Sequence, residues 1–201
     1  MSIFRQRVRG LRAAVFDLDG TLVASPYDWP AIRRELGIHG DSLIDELNAR
    51  DPAARRAGWA RLEEREAEAT RGAKIIAGAR EVLDFLRHRG MALALVTNNS
   101  ETNAQALLRR FALRFDVVLT RDSGLWKPSG ESLLEALRRL GRRPEESMMV
   151  GDTRWDLQAA REAGCALAVM LGPAARDLPA DLILEGPAAL LGELERAFGS
   201  A

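Results

Sequence analysis

The chain has 201 residues and a mass of 22.1 kDa, enough for one sizeable core and too much for a peptide hormone or a disulfide knot. Hydrophobic residues make up 47% and charged residues 29%, ordinary globular usage that excludes wholesale disorder and collagen-like repetition. Twenty-nine basic residues balance 29 acidic ones, so the chain has no overall electrostatic footprint for nucleic acid or an anionic membrane, and any anion must be held locally.

The N-terminal MSIFRQRVRG carries charge without an apolar stretch of signal-peptide length. Residues 13–18, AAVFDL, form a short apolar run closed by Asp19-Gly20, the pattern of a buried strand that stops abruptly. From about Ser25 to Ile76 no strand is predicted. Within it, 28–37 (DWPAIRRELG) opens with a cap at Asp28 and Pro30 in the first turn, and 51–71 is dominated by the strong helix formers Ala, Arg and Glu. This reads as a helical insertion with a thin dry face, led by Trp59 and Leu62, expected to pack over the sheet domain.

Beyond the insertion, helical spacing at 79–89, 101–112, 130–140, 155–163 and 187–198 alternates with short apolar runs at 92–96, 117–119, 148–150 and 167–171. That alternation predicts an α/β fold: a three-layer, Rossmann-like open parallel sheet covered on both faces, with a small α-helical insertion. The domains are expected at 1–24 joined with 77–201, and at 25–76. The longest apolar runs, 91–96 and 165–171, fall short of the roughly 18–20 residues of a membrane span. Lone Cys165 cannot form an internal disulfide and reads as core filler, while one thiol with His39 and His88 lacks the ligands of a structural zinc site. A reducing, cytoplasmic setting is expected.

In an open α/β sheet, ligands gather at the carboxyl ends of the strands. Four such ends carry chemistry here: Asp17-Leu18-Asp19-Gly20-Thr21; Thr97-Asn98-Asn99; Trp126-Lys127-Pro128; and Gly151-Asp152, with Asp156 four residues on. Asp17, Asp19 and Asp152 would repel one another if they converged, which calls for a divalent cation, and hard oxygen ligands favour magnesium. Such a set suits phosphoryl transfer, which needs charge neutralisation, fixed donors and an in-line nucleophile. A carboxylate can be that nucleophile, and a second one two residues later could protonate the leaving oxygen and then deprotonate water. Thr97 and Lys127 would hold phosphate oxygens. Lys127 is one of only two lysines against 27 arginines, and a compact ammonium suits a crowded phosphate and carboxylate pocket where a planar guanidinium does not fit.

These residues resemble a known set. FDLDGTLV (16–23) is similar to the first motif of the haloacid dehalogenase-like hydrolase superfamily, VTN (96–98) to its second, the Lys of WKP to its third and GDTRWD (151–156) to its fourth. The insertion directly after the first motif resembles the phosphoglycolate phosphatase-like branch, which carries a helical cap there. The resemblance implies that Asp17 is phosphorylated, and that Asp19 is the acid and base and binds magnesium through its carbonyl. Thr97 and Lys127 would contact the phosphoryl group, with Asn98 in the same substrate-binding set. Asp152 would bind the metal directly, and Asp156 would support it through water or by orienting Lys127.

The implied activity is magnesium-dependent hydrolysis of small phosphate monoesters, phosphoglycolate or a similar sugar or organic-acid phosphate, under a cap that excludes bulk water. The expected partner is a small phosphorylated metabolite, with no nucleic acid, no membrane and a monomeric state. A phosphomutase would use the same aspartates. A phospho-accepting receiver domain fits less well, because its acidic pair precedes the phosphorylated Asp. One departure from the family pattern is the Pro-Ser-Gly-Glu that follows Lys127, where Pro-x-Pro-Asp or Pro-x-Pro-Glu is usual. Tyr27, Trp29, Arg33 and Arg34, at the start of the insertion, are read as packing and solvated charge rather than substrate contacts.

Overall fold

A computed structural model of the chain describes residues 3–199; the expected domain ends at 1, 2, 200 and 201 lie outside the described residues. The architecture is the predicted one. Six parallel strands run in the order β5-β4-β1-β6-β7-β8: β1 Ala13–Phe16, β4 Ala92–Val96, β5 Val117–Leu119, β6 Ser147–Gly151, β7 Leu167–Leu171 and β8 Leu182–Leu184. The inner strands β1, β6 and β7 are buried along their whole length, as a parallel sheet covered on both faces requires. Helices α7 (Glu131–Leu140) and α8 (Arg154–Ala163) cover the face made by Val15, Val96, Met149 and Met170. α5 (Ala79–His88) lies against β4, and α9 (Pro187–Phe198) packs on α5 and on α1 (Ile3–Val8).

Register sets the site. Phe16 is paired with both Leu95 and Val150, so β1, β4 and β6 end within one residue of the same level. Asp17, Thr97 and Asp152 therefore leave the sheet at one edge. The first strand is shorter than the predicted 13–18: it ends at Phe16, although the Asp17 N–H still donates to the Val150 carbonyl at 2.9 Å.

The described residues divide into two compact units, Ser25–Ala73 and the remainder. The larger unit takes in Ile76 and, before it, Lys74 and Ile75, all three expected in the insertion. Two of them form β3 (Lys74–Ile75), which pairs antiparallel with β2 (Val23–Ala24), so the expectation of no strand between 25 and 76 fails at its last residues. A two-residue strand has too few positions to show an alternating pattern.

The smaller unit consists of α2 (Trp29–Leu36), α3 (Leu43–Asn48) and α4 (Pro52–Gly72). Asp28 caps α2 by accepting the Ala31 N–H at 2.9 Å, and Asp51 caps α4 by accepting from Ala53 and Ala54 at 3.0 Å, each with a proline in the first turn that has no N–H to satisfy. Ile32, Leu36, Ile38, Leu47 and Leu62 form its core, with Trp59 and Tyr27 packed against it. Leu62 and Trp59 are apolar positions of α4 as read from the sequence, but their partners are the insertion's own residues rather than the sheet domain expected, and α2 and α3 supply most of the apolar surface. Among the described residues no helix is long and apolar enough to cross a membrane.

Candidate active site

Asp17 follows β1 directly, is buried, and accepts a hydrogen bond through Oδ1 from Lys127 Nζ at 2.5 Å. The same ammonium donates to Asp156 Oδ1 at 2.5 Å. Lys127 is thus enclosed between two carboxylates that lie 110 and 29 residues away in sequence. Asp152, one residue past β6, accepts the Thr21 hydroxyl at 3.2 Å.

Asp17, Asp152 and Asp156 each offer a carboxylate oxygen, and these atoms lie within 4.8 Å of one another. Burial, followed by the charges of Asp156 and Asp152, raises the Asp17 carboxyl well above the usual carboxylate range against the pull of Lys127. Burial and then Asp156 push Asp152 up to about 7, opposed by Lys127 and the Thr21 hydroxyl. Burial pulls the Lys127 ammonium down, but Asp156 and Asp17 outweigh it and the net shift is upward. With all three carboxylates ionised, one ammonium would leave two negative charges in excess. A divalent cation would remove that excess, and an all-oxygen donor set is the kind magnesium takes. The residues present fit the ion.

The turn after β1 is shaped for this meeting. Gly20 has φ +89°, and a Cβ there would stand 2.6 Å from Asp152 Cγ. Only glycine combines that conformation with that approach. Asp156 uses its other oxygen, Oδ2, to close a capping box at the start of α8, accepting the Thr153 hydroxyl at 2.7 Å and the Thr153 N–H at 3.0 Å. With one oxygen on Lys127 and the other on Thr153, its geometry is that of a group orienting Lys127.

Two predicted residues have other contacts. The Asn98 side chain pairs with the main chain of Lys127, donating to its carbonyl at 2.8 Å and accepting its N–H at 2.9 Å. It holds the lysine loop. Thr97 is buried, and its hydroxyl oxygen accepts the Asn99 N–H at 3.1 Å. Asp19 stands outside the carboxylate trio, half-buried, with Oδ2 accepting from Asn99 Nδ2 at 2.8 Å.

From sequence, Asn99 is named at its strand end without a role, and Arg121 is not singled out. Arg121 is buried and donates Nη1 to the Asn98 carbonyl at 3.2 Å. An asparagine after a strand reads as a helix cap, and one arginine among 27 carries no signal of its own. After Lys127, Gly130 stands where the family pattern has its second proline, and a Cβ there would come within 2.7 Å of the Ala163 nitrogen. In the insertion, Tyr27 and Trp29 stack on each other with centroids 4.5 Å apart, and Arg33 bonds the carbonyls of Gly40 and Asp41. Cys165 packs against the main core.

Residues 11–164 match the haloacid dehalogenase-like hydrolase family. The chain belongs to that family. A phosphoglycolate phosphatase of Chromobacterium violaceum is 35% identical to this hydrolase over 213 residues, covering 91% of this chain and 96% of that one. A hydrolase from Pseudomonas syringae superposes with a TM-score of 0.76 at 22% identity, over 92% of this chain and 98% of the other, a likeness of fold. A HAD family hydrolase from Deinococcus radiodurans, solved with bound phosphate and sodium, gives 0.68 at 25% identity over 94% and 97%.

Proposed function

We propose that this hydrolase is a magnesium-dependent phosphatase of small phosphate monoesters, phosphoglycolate or a similar sugar or organic-acid phosphate, working through a phosphoaspartate on Asp17. The observation that carries the reading is the buried Asp17, Lys127 and Asp156 group with Asp152 beside it, at the strand ends where α/β sheets bind ligands. The phosphatase named among its relatives and the phosphate held by a fold neighbour support the substrate class.

Asp17, Asp152 and the Asp19 carbonyl would hold the magnesium, which when bound neutralises charge on the phosphate oxygens. Lys127 supplies a fixed ammonium for a phosphoryl oxygen, steadied by Asp156 and by the Asn98 grip on its main chain, and Thr97 contributes at the same edge. A carboxylate oxygen of Asp17 bonds to phosphorus as the ester P–O bond breaks, and Asp19 gives its proton to the leaving oxygen. In the second half Asp19 takes a proton from water, the water oxygen bonds to phosphorus, and the Asp17–phosphorus linkage breaks. Inorganic phosphate leaves and both aspartates return to their starting states. Ser25–Ala73, inserted between β2 and β3, is read as a cap that restricts the site to small esters.

Phosphate release from a panel of monoesters with magnesium, run beside Asp17→Asn, tests this. The variant is expected to lose about a thousandfold or more in kcat. Full turnover in Asp17→Asn would overturn the assignment.

A further inference from the structure

We infer that Asn99 is a positioning residue for Asp19, an assignment that rests on the phosphatase reading above: its side-chain amide holds the carboxylate that exchanges protons with the leaving oxygen and with water. Asp19 lies in the turn after β1, half-buried, on a side chain with two rotatable bonds. A general acid in such a turn is effective only if its oxygen stays within hydrogen-bond reach of the leaving group. Asn99 comes from another strand end, 80 residues away, and its Nδ2 donates to Asp19 Oδ2 at 2.8 Å.

The direction of that amide is determined by its surroundings. The Ser100 N–H donates to Asn99 Oδ1 at 2.8 Å, a position only the oxygen can take, so the NH2 group faces Asp19. The main chain of Asn99 is fastened on both sides, its N–H to Thr97 Oγ1 at 3.1 Å and its carbonyl to the Arg121 N–H at 3.2 Å. Asn99 is buried, so water competes little for these bonds. A donor anchored on Oδ2 holds the carboxylate, and with it the transferable proton, in one orientation. As the ester P–O bond breaks, the proton passes from Asp19 to the departing oxygen; in the hydrolytic half a water proton restores it.

This role has a signature that a merely structural one lacks. Esters whose leaving group needs a proton should suffer more than esters whose leaving group departs as a stable anion. Phenyl phosphate and p-nitrophenyl phosphate are nearly alike in shape and differ in that need. With the full chain and magnesium, Asn99→Ala is expected to lower kcat/KM for phenyl phosphate about tenfold or more, and for p-nitrophenyl phosphate by less than about threefold. Equal losses on the two esters, or no loss on either, overturn the assignment. Asn99→Ser, which keeps an oxygen near the Ser100 N–H, is the second variant and should show the same split; failure of both variants to fold would mark Asn99 as structural only. Asp17→Asn in the same assays separates the two ideas. If it retains turnover the phosphatase reading falls, and if it is inactive while the Asn99 variants treat both esters alike, only the positioning role falls.

Discussion

Gly20 has no side chain because Asp152 occupies the space where one would go. Its φ of +89° adds a second penalty for any other residue. Gly20→Ala should therefore push the Asp152 carboxylate out of the cluster without unfolding the chain. The expected outcome is a loss of at least about tenfold in kcat together with a higher magnesium requirement, checked by kinetics across a magnesium titration and by a circular dichroism spectrum that stays unchanged. Asp17, Asp19 and Asp152 were legible from sequence because each is a charged residue at the end of an apolar run, where an open sheet faces ligand, and Lys127, in the loop beyond the 117–119 run, because it is one of only two lysines. The contacts of Asn98 and Asn99 were not. Asn98 meets the main chain of a residue 29 positions on, and Asn99 meets Asp19 80 positions back. An amide side chain gives no hint in sequence of which distant loop it will reach.

Helix ends were readable for local reasons. Asp28 and Asp51 stand before prolines, and their side chains accept the first N–H groups of α2 and α4. The four strands 92–96, 117–119, 148–150 and 167–171 reappear as β4, β5, β6 and β7, with one residue added at each end of β6. Short or half-exposed elements escaped. β8 lies at the sheet edge with Ile183 exposed, and α1 buries Phe4 and Val8 in a stretch whose arginines make it read as a polar tail. α3 has a cap at Ser42, which accepts from the Asp45 N–H at 3.2 Å, but only six residues behind it. Helix α4 is mostly polar and depends for its dry contacts on Leu62, 2% exposed, against Ile32, Leu36 and Leu47. Leu62→Ala should cost about 2–5 kcal/mol of stability in urea unfolding, since neighbours held on two other helices cannot all close the cavity. A cost under about 1 kcal/mol would mean that this cluster does little to hold α4.

Three carboxylates and one ammonium in a buried site are the reason a cation should stabilise the folded molecule. An ion that binds the folded chain and not the unfolded one stabilises it by mass action. Magnesium added after EDTA treatment should raise the melting temperature and restore phosphate release, and Asp152→Asn should remove most of the rise. Scanning calorimetry with and without magnesium reads the first, phosphate release the second. An identical melting temperature in EDTA and in millimolar magnesium would count against the metal site.

The motif residues, the α/β alternation and the point of insertion after Val23–Ala24 could all be read along the chain, because each depends on residue type and on spacing within a few turns. The nearly level ends of β1, β4 and β6, the enclosure of Lys127 by Asp17 and Asp156, and the hold of Asn99 on Asp19 arise only when segments far apart in sequence become neighbours. Those depend on sheet register and loop closure, and neither is written in any short stretch of residues.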